Sequence, residues 1–150
     1  MAAHTITLKG DPDRKEGVTD EAITPGMLIE LGGTYDVQKH SVADGPAARS
    51  WALENDLVGE GIDDDYASGE TVQIGYFDTG DEVYAWLATS QTIAVGDYLV
   101  SAGAGLLAEF DPTVDTSATD AEVYRGNVVA RAIEAVTTTS AAARLMVEVL

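Results

Sequence analysis

Few side chains in this sequence could catalyse a reaction. The 150 residues include two histidines and no cysteine. Disulfides, zinc–thiolate sites and cysteine nucleophiles are therefore excluded. His4 and His40 are isolated from each other, which is unfavourable both for a metal site and for a general base. Structural roles are the favoured interpretation for both histidines.

A histidine, a serine and an aspartate lie close together at His40, Ser41 and Asp44. A hydrolase triad usually places its serine on a strained turn such as G-x-S-x-G, and that motif is absent. Closeness in sequence does not bring these three groups together in the geometry of a triad. The sequence therefore predicts no catalytic residue and no enzyme.

Two motifs share features with ligand sites. Residues 103–108 read GAGLLA, which matches the G-x-G-x-x-A pattern of dinucleotide-binding turns. Such a site needs a helix after the turn, and the Asp-Pro pair at residues 111–112 leaves no room for one, so we predict a hairpin turn. Residues 63–65 are three aspartates, whose oxygens suit calcium, but the EF-hand spacing is missing. A solvated loop is favoured there, cation binding stays open, and no metal or cofactor is predicted.

Charge is the strongest signal in the composition. Lys and Arg total 8 against 26 Asp and Glu, for a formal net charge of −18. The acids are spread along the chain, which favours adaptation to high salt, where self-repulsion is screened, over a single patch for a basic partner. Nucleic acid is not a predicted partner, because its binding needs a basic surface.

Nothing in the sequence predicts a membrane partner or secretion. No run approaches the roughly 20 apolar residues that a membrane span requires. The N-terminal residues MAAHTITLKGD lack the charged and apolar regions of a secretory signal. We therefore expect synthesis in the cytoplasm.

Short β-prone runs separated by turn signals predict an all-β sandwich or barrel. Glycine–acid pairs mark three turns between residues 69 and 101. Residues 71–76 alternate in hydrophobicity, and so do residues 143–150, which are predicted to form the last strand. We expect residues 69–101 to form an antiparallel meander around which the remaining chain is wrapped. Residues 47–55 and 128–136 fit a helix or a strand equally well.

One predicted strand, residues 82–88, is apolar on both faces. Val83 faces one way, and Tyr84 and Trp86 face the other. Such a strand needs cover on both sides, from a second sheet or from another subunit. Val83, Tyr84 and Trp86 are therefore candidates for core or subunit packing.

The first 21 residues differ from the rest. The alternating run TITLK predicts a short strand at residues 5–9, and a polar stretch interrupted by proline and glycine follows it. We predict an extended N-terminal arm at residues 1–21 and a single β domain at residues 22–150.

The order of the segments resembles that of capsid decoration, or cement, proteins, which are small head proteins of tailed viruses. The resemblance covers residues 9–150. Its most specific parts are the Ile-Asp-Asp-Asp-Tyr-Ala-x-Gly run at residues 62–69 and the Gly-Asp-x-Leu-x-Ser hairpin at residues 96–101. The acidic surplus departs from ordinary members and looks like that of a virus with a halophilic host.

The resemblance implies a compact β-barrel or β-tulip fold and a strand at residues 128–136. It also implies a homotrimer on the outer surface of the virion capsid, with an N-terminal arm that touches the major capsid protein. A strand in the arm could add to an exposed sheet edge of the shell through backbone hydrogen bonds. The candidates for this contact are Thr5, Ile6, Thr7, Leu8 and Lys9.

The expected function is therefore that of a structural virion protein that stabilises a tailed-virus head. Two alternatives stay open. One is a tail-tube or fibre-associated virion domain, and the other is an acidic small-ligand-binding β-barrel.

Overall fold

The computed structural model describes residues 3–32, 34–112 and 127–150, and the elements below are those of this part of the chain. The strands are β1 (Thr7–Lys9), β2 (Asp13–Val18), β3 (Ile29–Leu31), β4 (Val37–Lys39), β5 (Ser50–Ala52), β6 (Thr71–Tyr76), β7 (Glu82–Leu87), β8 (Thr92–Ile93), β9 (Tyr98–Gly103), β10 (Leu106–Glu109), β11 (Ala130–Ala132), β12 (Val136–Thr137) and β13 (Ala143–Val149). One 3-10 helix occupies Asp56–Val58. The predicted all-β class is confirmed. None of the described helical turns has the length or hydropathy to cross a membrane.

Pairing between strands closes into a ring. β7 pairs with β13 along its whole length and meets β10 at its last residue. β10 pairs with β9, β9 with β11, and β11 with β13, which returns the pairing to β7. These five strands have the closed arrangement that a small β-barrel requires.

The inward side chains of this ring form the main hydrophobic core. On β7, the fully buried Val83, Ala85 and Leu87 alternate with half-buried residues. Every second side chain of β13 is buried in the same way, as the alternating pattern predicted. Val83 is therefore a core residue, and the subunit-packing interpretation is corrected for this side chain.

A second, smaller core lies between the sheet β2–β6–β5 and the hairpin β3–β4. β5 connects the two cores, because Trp51 packs in the main core and Ala52 in the second. The segment at residues 47–55, for which helix and strand were both open, thus contains a strand. The second core consists of Ile23, Ile29, Val37, Ala52, Tyr66, Val72 and Ile74.

The described part of the predicted N-terminal arm is integrated into the fold, which corrects the expectation of an extended arm. β1 pairs with β7, and β2 pairs with β6 over all its residues. Ile6 is fully buried, and its carbonyl oxygen accepts a hydrogen bond from the Tyr84 N–H. The polar composition of β2 reflects an exposed edge strand, a position that charged residues commonly occupy.

The predicted meander is not formed either. β6 pairs with β2 and β5, β7 pairs with β1 and β13, and β9 pairs with β10 and β11. The turns predicted at two of the glycine–acid pairs are nevertheless present, because Gly80 and Gly96 adopt φ values of 95° and 97° between these strands. Alternation shows which face of a strand is buried, but it does not identify the strand that pairs with it.

The GAGLLA motif forms the hairpin turn that the sequence predicted. Ala104 and Gly105 have φ values of 53° and 74°, and β9 and β10 pair on either side of them. The segment at residues 128–136 contains the strand β11, as the resemblance implied. Residues 111–122 are polar and rich in threonine, aspartate and alanine, a composition that predicts an exposed loop, and most of them lie outside the described residues.

Candidate functional site

The predicted capsid-contact residues lie on and beside β1, an end strand whose strand partner is β7. Ile6 is buried in the main core, and Thr7 and Leu8 are half-buried. Thr5 and Lys9 are exposed. Ile6 therefore fixes this segment to the ring, while the outward edge of β1 is the part that another strand could reach.

The outer face of β7 is covered by the chain itself. The guanidinium carbon of Arg144 lies 4.4 Å from the ring centre of Trp86 and 6.0 Å from that of Tyr84. The Trp86 Nε1–H donates a hydrogen bond to the Pro25 carbonyl oxygen at 2.9 Å. These contacts supply the cover that the sequence pattern required, although subunit packing by the half-buried Tyr84 and Trp86 stays a prediction.

Arg144 joins three segments of the chain. From β13, its Nη2 donates to the carbonyl oxygens of Pro25, at 3.2 Å, and of Ile62. Its Nη1 donates to Asp63 Oδ1 at 2.7 Å. The Arg144 side chain is only 8% exposed, whereas its carboxylate partner Asp63 is 87% exposed. The planar guanidinium, with five N–H donors in a fixed fork, suits this arrangement better than an ammonium group would.

The aspartates at residues 63–65 do not converge on a common point. Asp63 faces Arg144, and Asp64 Oδ2 accepts a hydrogen bond from the Gly61 N–H at 2.7 Å. Within the described ranges, no three His, Asp or Glu side chains are placed to hold a metal ion. Tyr66 anchors the end of this loop, because its hydroxyl donates to the Leu53 carbonyl oxygen at 2.8 Å. Burial raises the pKa of Tyr66 to about 12.

A buried serine–histidine pair is present that the sequence analysis did not find. Ser101 Oγ and His40 Nδ1 lie 2.7 Å apart, and His40 Nε2 lies 3.0 Å from the Pro46 carbonyl oxygen and 3.6 Å from Glu30 Oε2. Only a protonated Nε2 can donate to that carbonyl oxygen, so in the neutral imidazole Nδ1 accepts a hydrogen bond from the Ser101 hydroxyl. Ser41 takes no part in this pair and donates to Glu30 Oε1.

Burial limits what the serine–histidine pair can do. Ser101 is 1% exposed and His40 is 2% exposed, so a substrate cannot reach the serine oxygen in this conformation. Ser101 Oγ also accepts the N–H of Gly103 at 3.1 Å. The pair connects the end of β4 to β9 as a polar contact inside the fold. The 61 positions between the two residues explain why short-range spacing gave no signal for it.

Glu30 next to this pair has a perturbed acidity. Burial raises the pKa of Glu30, but hydrogen bonds from Ser41 and Gln38, together with the nearby His40, outweigh burial and place the pKa below its ordinary value. The charged form is therefore favoured by folding. Its contribution to stability is present above the ordinary value of 4.5 and is lost as the pH falls through the lower folded-state pKa.

Replacing Glu30 with glutamine should therefore lower the melting temperature at pH 7 and have a smaller effect at a pH below the folded-state pKa of Glu30, where the wild-type carboxylate is protonated. Thermal unfolding monitored by circular dichroism at both pH values measures this difference. Glu109→Gln is the matched control, since it removes one exposed negative charge elsewhere. Identical pH profiles for the two variants would contradict the role assigned to Glu30.

The acidic surplus is not balanced locally, because the few cations have partners of their own. In the part of the chain that the structure describes, five ion pairs each bind a different lysine or arginine side chain. They are Lys9–Glu82, Arg14–Asp56, Lys39–Glu21, Arg131–Glu148 and Arg144–Asp63. The remaining carboxylates leave a strongly negative surface that repels itself and attracts cations.

Stability should therefore rise with salt. Added salt shortens the screening length from roughly 10 Å at 0.1 M to roughly 3 Å at 1 M, which weakens the repulsion among carboxylates. We expect the melting temperature in potassium chloride to increase from about 0.1 M to about 3 M. Scanning calorimetry measures the shift, and an unchanged melting temperature would rule out a dominant effect of charge.

The chain is a small acidic all-β protein, and its fold also occurs in a solved structure of a phage head-fibre protein. One solved structure that it resembles is the head fiber gp8.5 N base of bacteriophage phi29, with a TM-score of 0.56 and 10% sequence identity. The likeness covers 92% of this chain and 93% of that one. No family model and no curated protein sequence matches the chain. At this identity, the likeness establishes a shared fold.

Proposed function

We propose that the chain is a structural protein of a tailed-virus particle and is bound to the head. The observation that carries this proposal is the shared fold, across 92% of the chain, with the head fiber gp8.5 N base of bacteriophage phi29. The order of the sequence segments points independently to virus head proteins. The proposed role is not enzymatic, which accords with the burial of the serine–histidine pair.

More specifically, the chain acts as a decoration protein on the outer surface of the capsid, as a homotrimer whose partner is the major capsid protein. The negative surface supports this role, because like-charged copies remain soluble when they are displayed at high density. The outer edge of β1 offers backbone groups for pairing with a strand of the shell. A contact repeated many times over a shell needs little affinity per copy, since neighbouring contacts act together.

Purified particles of the virus that encodes the chain test the proposal. We expect mass spectrometry to find the chain in the particles, and electron microscopy with a bound antibody fragment to locate it on the head. Light scattering of the isolated protein should give about three times the chain mass of 15.7 kDa. Absence of the chain from purified particles would overturn the proposed virion role. A monomeric mass in light scattering would overturn only the proposed homotrimer.

The β1 contact needs its own test. Deleting residues 1–20 would remove β1, all of β2 and the buried Ile6, so it would also disturb the fold. The double variant Thr5→Glu with Leu8→Glu instead adds charge at the edge, which opposes strand pairing. We expect it to bind heads that lack the protein about tenfold more weakly. Leu57→Glu, at an exposed leucine outside β1, is the control, and equal binding by all forms would place the contact elsewhere.

A fibre-associated role is the second candidate, and the head-fibre origin of the structural neighbour favours it. Copy number and position distinguish the two roles, because a decoration protein covers the shell at many equivalent sites. The ligand-binding barrel has less support. The ring interior holds fully buried leucines from four strands, packed in one cluster. They are Leu87, Leu99, Leu107 and Leu145.

A further inference from the structure

A shallow apolar groove, here called the Tyr98 groove, lies beside the first residue of β9 and the residues that follow β10. It has a volume of about 720 Å³. Tyr98 is 50% exposed, and Phe110, Val128 and Leu150 are half-buried. Its apolar lining consists of Tyr98, Phe110, Pro112, Val128 and Leu150. An aromatic ring that is half exposed beside other apolar side chains is typical of a contact surface.

A polar depression of about 400 Å³ continues from this groove. The two share Glu109, Phe110 and Pro112, and the depression is otherwise lined mainly by Ser90, Gln91 and Thr92. An apolar groove that continues into polar side chains suits an extended segment. One side chain can occupy the apolar part while the adjoining backbone meets hydrogen-bonding groups.

Two carboxylates lie at the edge of the Tyr98 groove. Asp97 and Glu109 both line it. The cation next to Tyr98 in the strand pairing is Arg131, and its side chain is bound to Glu148. Among the described residues, that ion pair leaves no cation paired with Asp97 or Glu109 at the edge of the groove, which favours a positively charged occupant.

We propose that the Tyr98 groove binds an extended segment of a partner protein in which an aromatic or aliphatic side chain stands next to lysine or arginine. The apolar side chain packs on Tyr98 and Phe110, and the cations face Asp97 and Glu109. A second copy of this chain is a poor occupant, because most of its described lysine and arginine side chains are already bound in ion pairs and are not available to Asp97 and Glu109. This inference goes beyond the proposed function, since it depends only on the shape and charge of the groove.

A fluorescein-labelled peptide of alternating lysine and leucine, compared with one in which serine replaces leucine, tests the proposal by fluorescence anisotropy. The peptides are titrated into wild type, into Tyr98→Ser and into the control Leu57→Ser, which removes another exposed apolar side chain. We expect Tyr98→Ser to bind the leucine peptide about tenfold more weakly than wild type does. Leu57→Ser should bind the leucine peptide as tightly as wild type does. Wild type should bind the serine peptide about tenfold more weakly than the leucine peptide.

Three results would overturn the proposal. Failure of wild type to bind the leucine peptide would mean that the groove does not take this chemistry. Equal binding of both peptides, or equal binding by wild type and Tyr98→Ser, would show general attraction between a cation and an acidic surface. A smaller particle mass for Tyr98→Ser in light scattering would identify a second copy as the occupant. Circular dichroism confirms that the variants are folded.

Discussion

Replacing Arg144 with methionine should lower the free energy of unfolding by about 3 kcal/mol. Methionine retains much of the apolar contact with Trp86 but removes every N–H donor. The Ile62 carbonyl oxygen then loses the hydrogen bond that Arg144 supplies, and the loop carrying Asp63 is released from β13. The loss should be large because the guanidinium is almost fully buried and binds several groups at once.

Arg131→Met is the matched control for this experiment. Arg131 lies on the neighbouring strand and forms one ion pair with Glu148, but its side chain is 42% exposed. Exposed pairs contribute at most about 1 kcal/mol, so this variant should be nearly as stable as wild type. Urea unfolding at one fixed salt concentration measures both variants. Equal losses would mean that Arg144 acts only as a surface charge.

The second large effect is expected at Gly26. This residue has φ +93°, and a Cβ added there would lie 2.7 Å from the backbone oxygen of Tyr84. Its N–H donates to the Ala52 carbonyl oxygen, and its own carbonyl oxygen accepts from the Trp86 N–H, so the backbone cannot easily move away. Gly26→Ala should therefore destabilise the protein by about 3 kcal/mol, from backbone strain and overpacking together.

Gly59→Ala separates these two causes. Gly59 has a similar φ of +83°, but a Cβ there would meet no atom within 4 Å. Its replacement should cost about 1 kcal/mol from backbone strain alone. Thermal and urea unfolding of both variants give the difference, which measures the close approach at Gly26. If the two alanine variants were equally stable, the close approach of residue 26 to β7 would make no contribution to the free energy of unfolding.

Local properties of the fold were predictable from the sequence. Alternating hydrophobicity located β6 and β13, the run that is apolar on both faces located β7, and glycine-rich turns located several of the strand ends. The pairing of strands was not predictable in this way, because it joins segments that are far apart in the chain. β6 pairs with β2, and β7 with β13, and the hydrophobic pattern does not encode either choice.

In the candidate site, too, local properties were predictable from the sequence and contacts between distant segments were not. The two-faced character of β7 correctly indicated cover on both sides, but the sequence could not show that Pro25 and Arg144 supply the outer cover. The polar residues 10–21 indicated solvent exposure, which an edge strand and an extended arm share. The pairing of His40 with Ser101 depends entirely on the tertiary structure that brings β9 beside β4.

The closure of the ring by β13 has a consequence for folding during synthesis. β7 leaves the ribosome well before β13 is made, and one of its edges must wait for that later strand. Until then, β7 exposes backbone groups and apolar side chains that favour pairing with other chains. Sheets that depend on such distant partners fold slowly. Nascent chains stalled before residue 143 should therefore be much more prone to aggregation and to protease cleavage than the released chain.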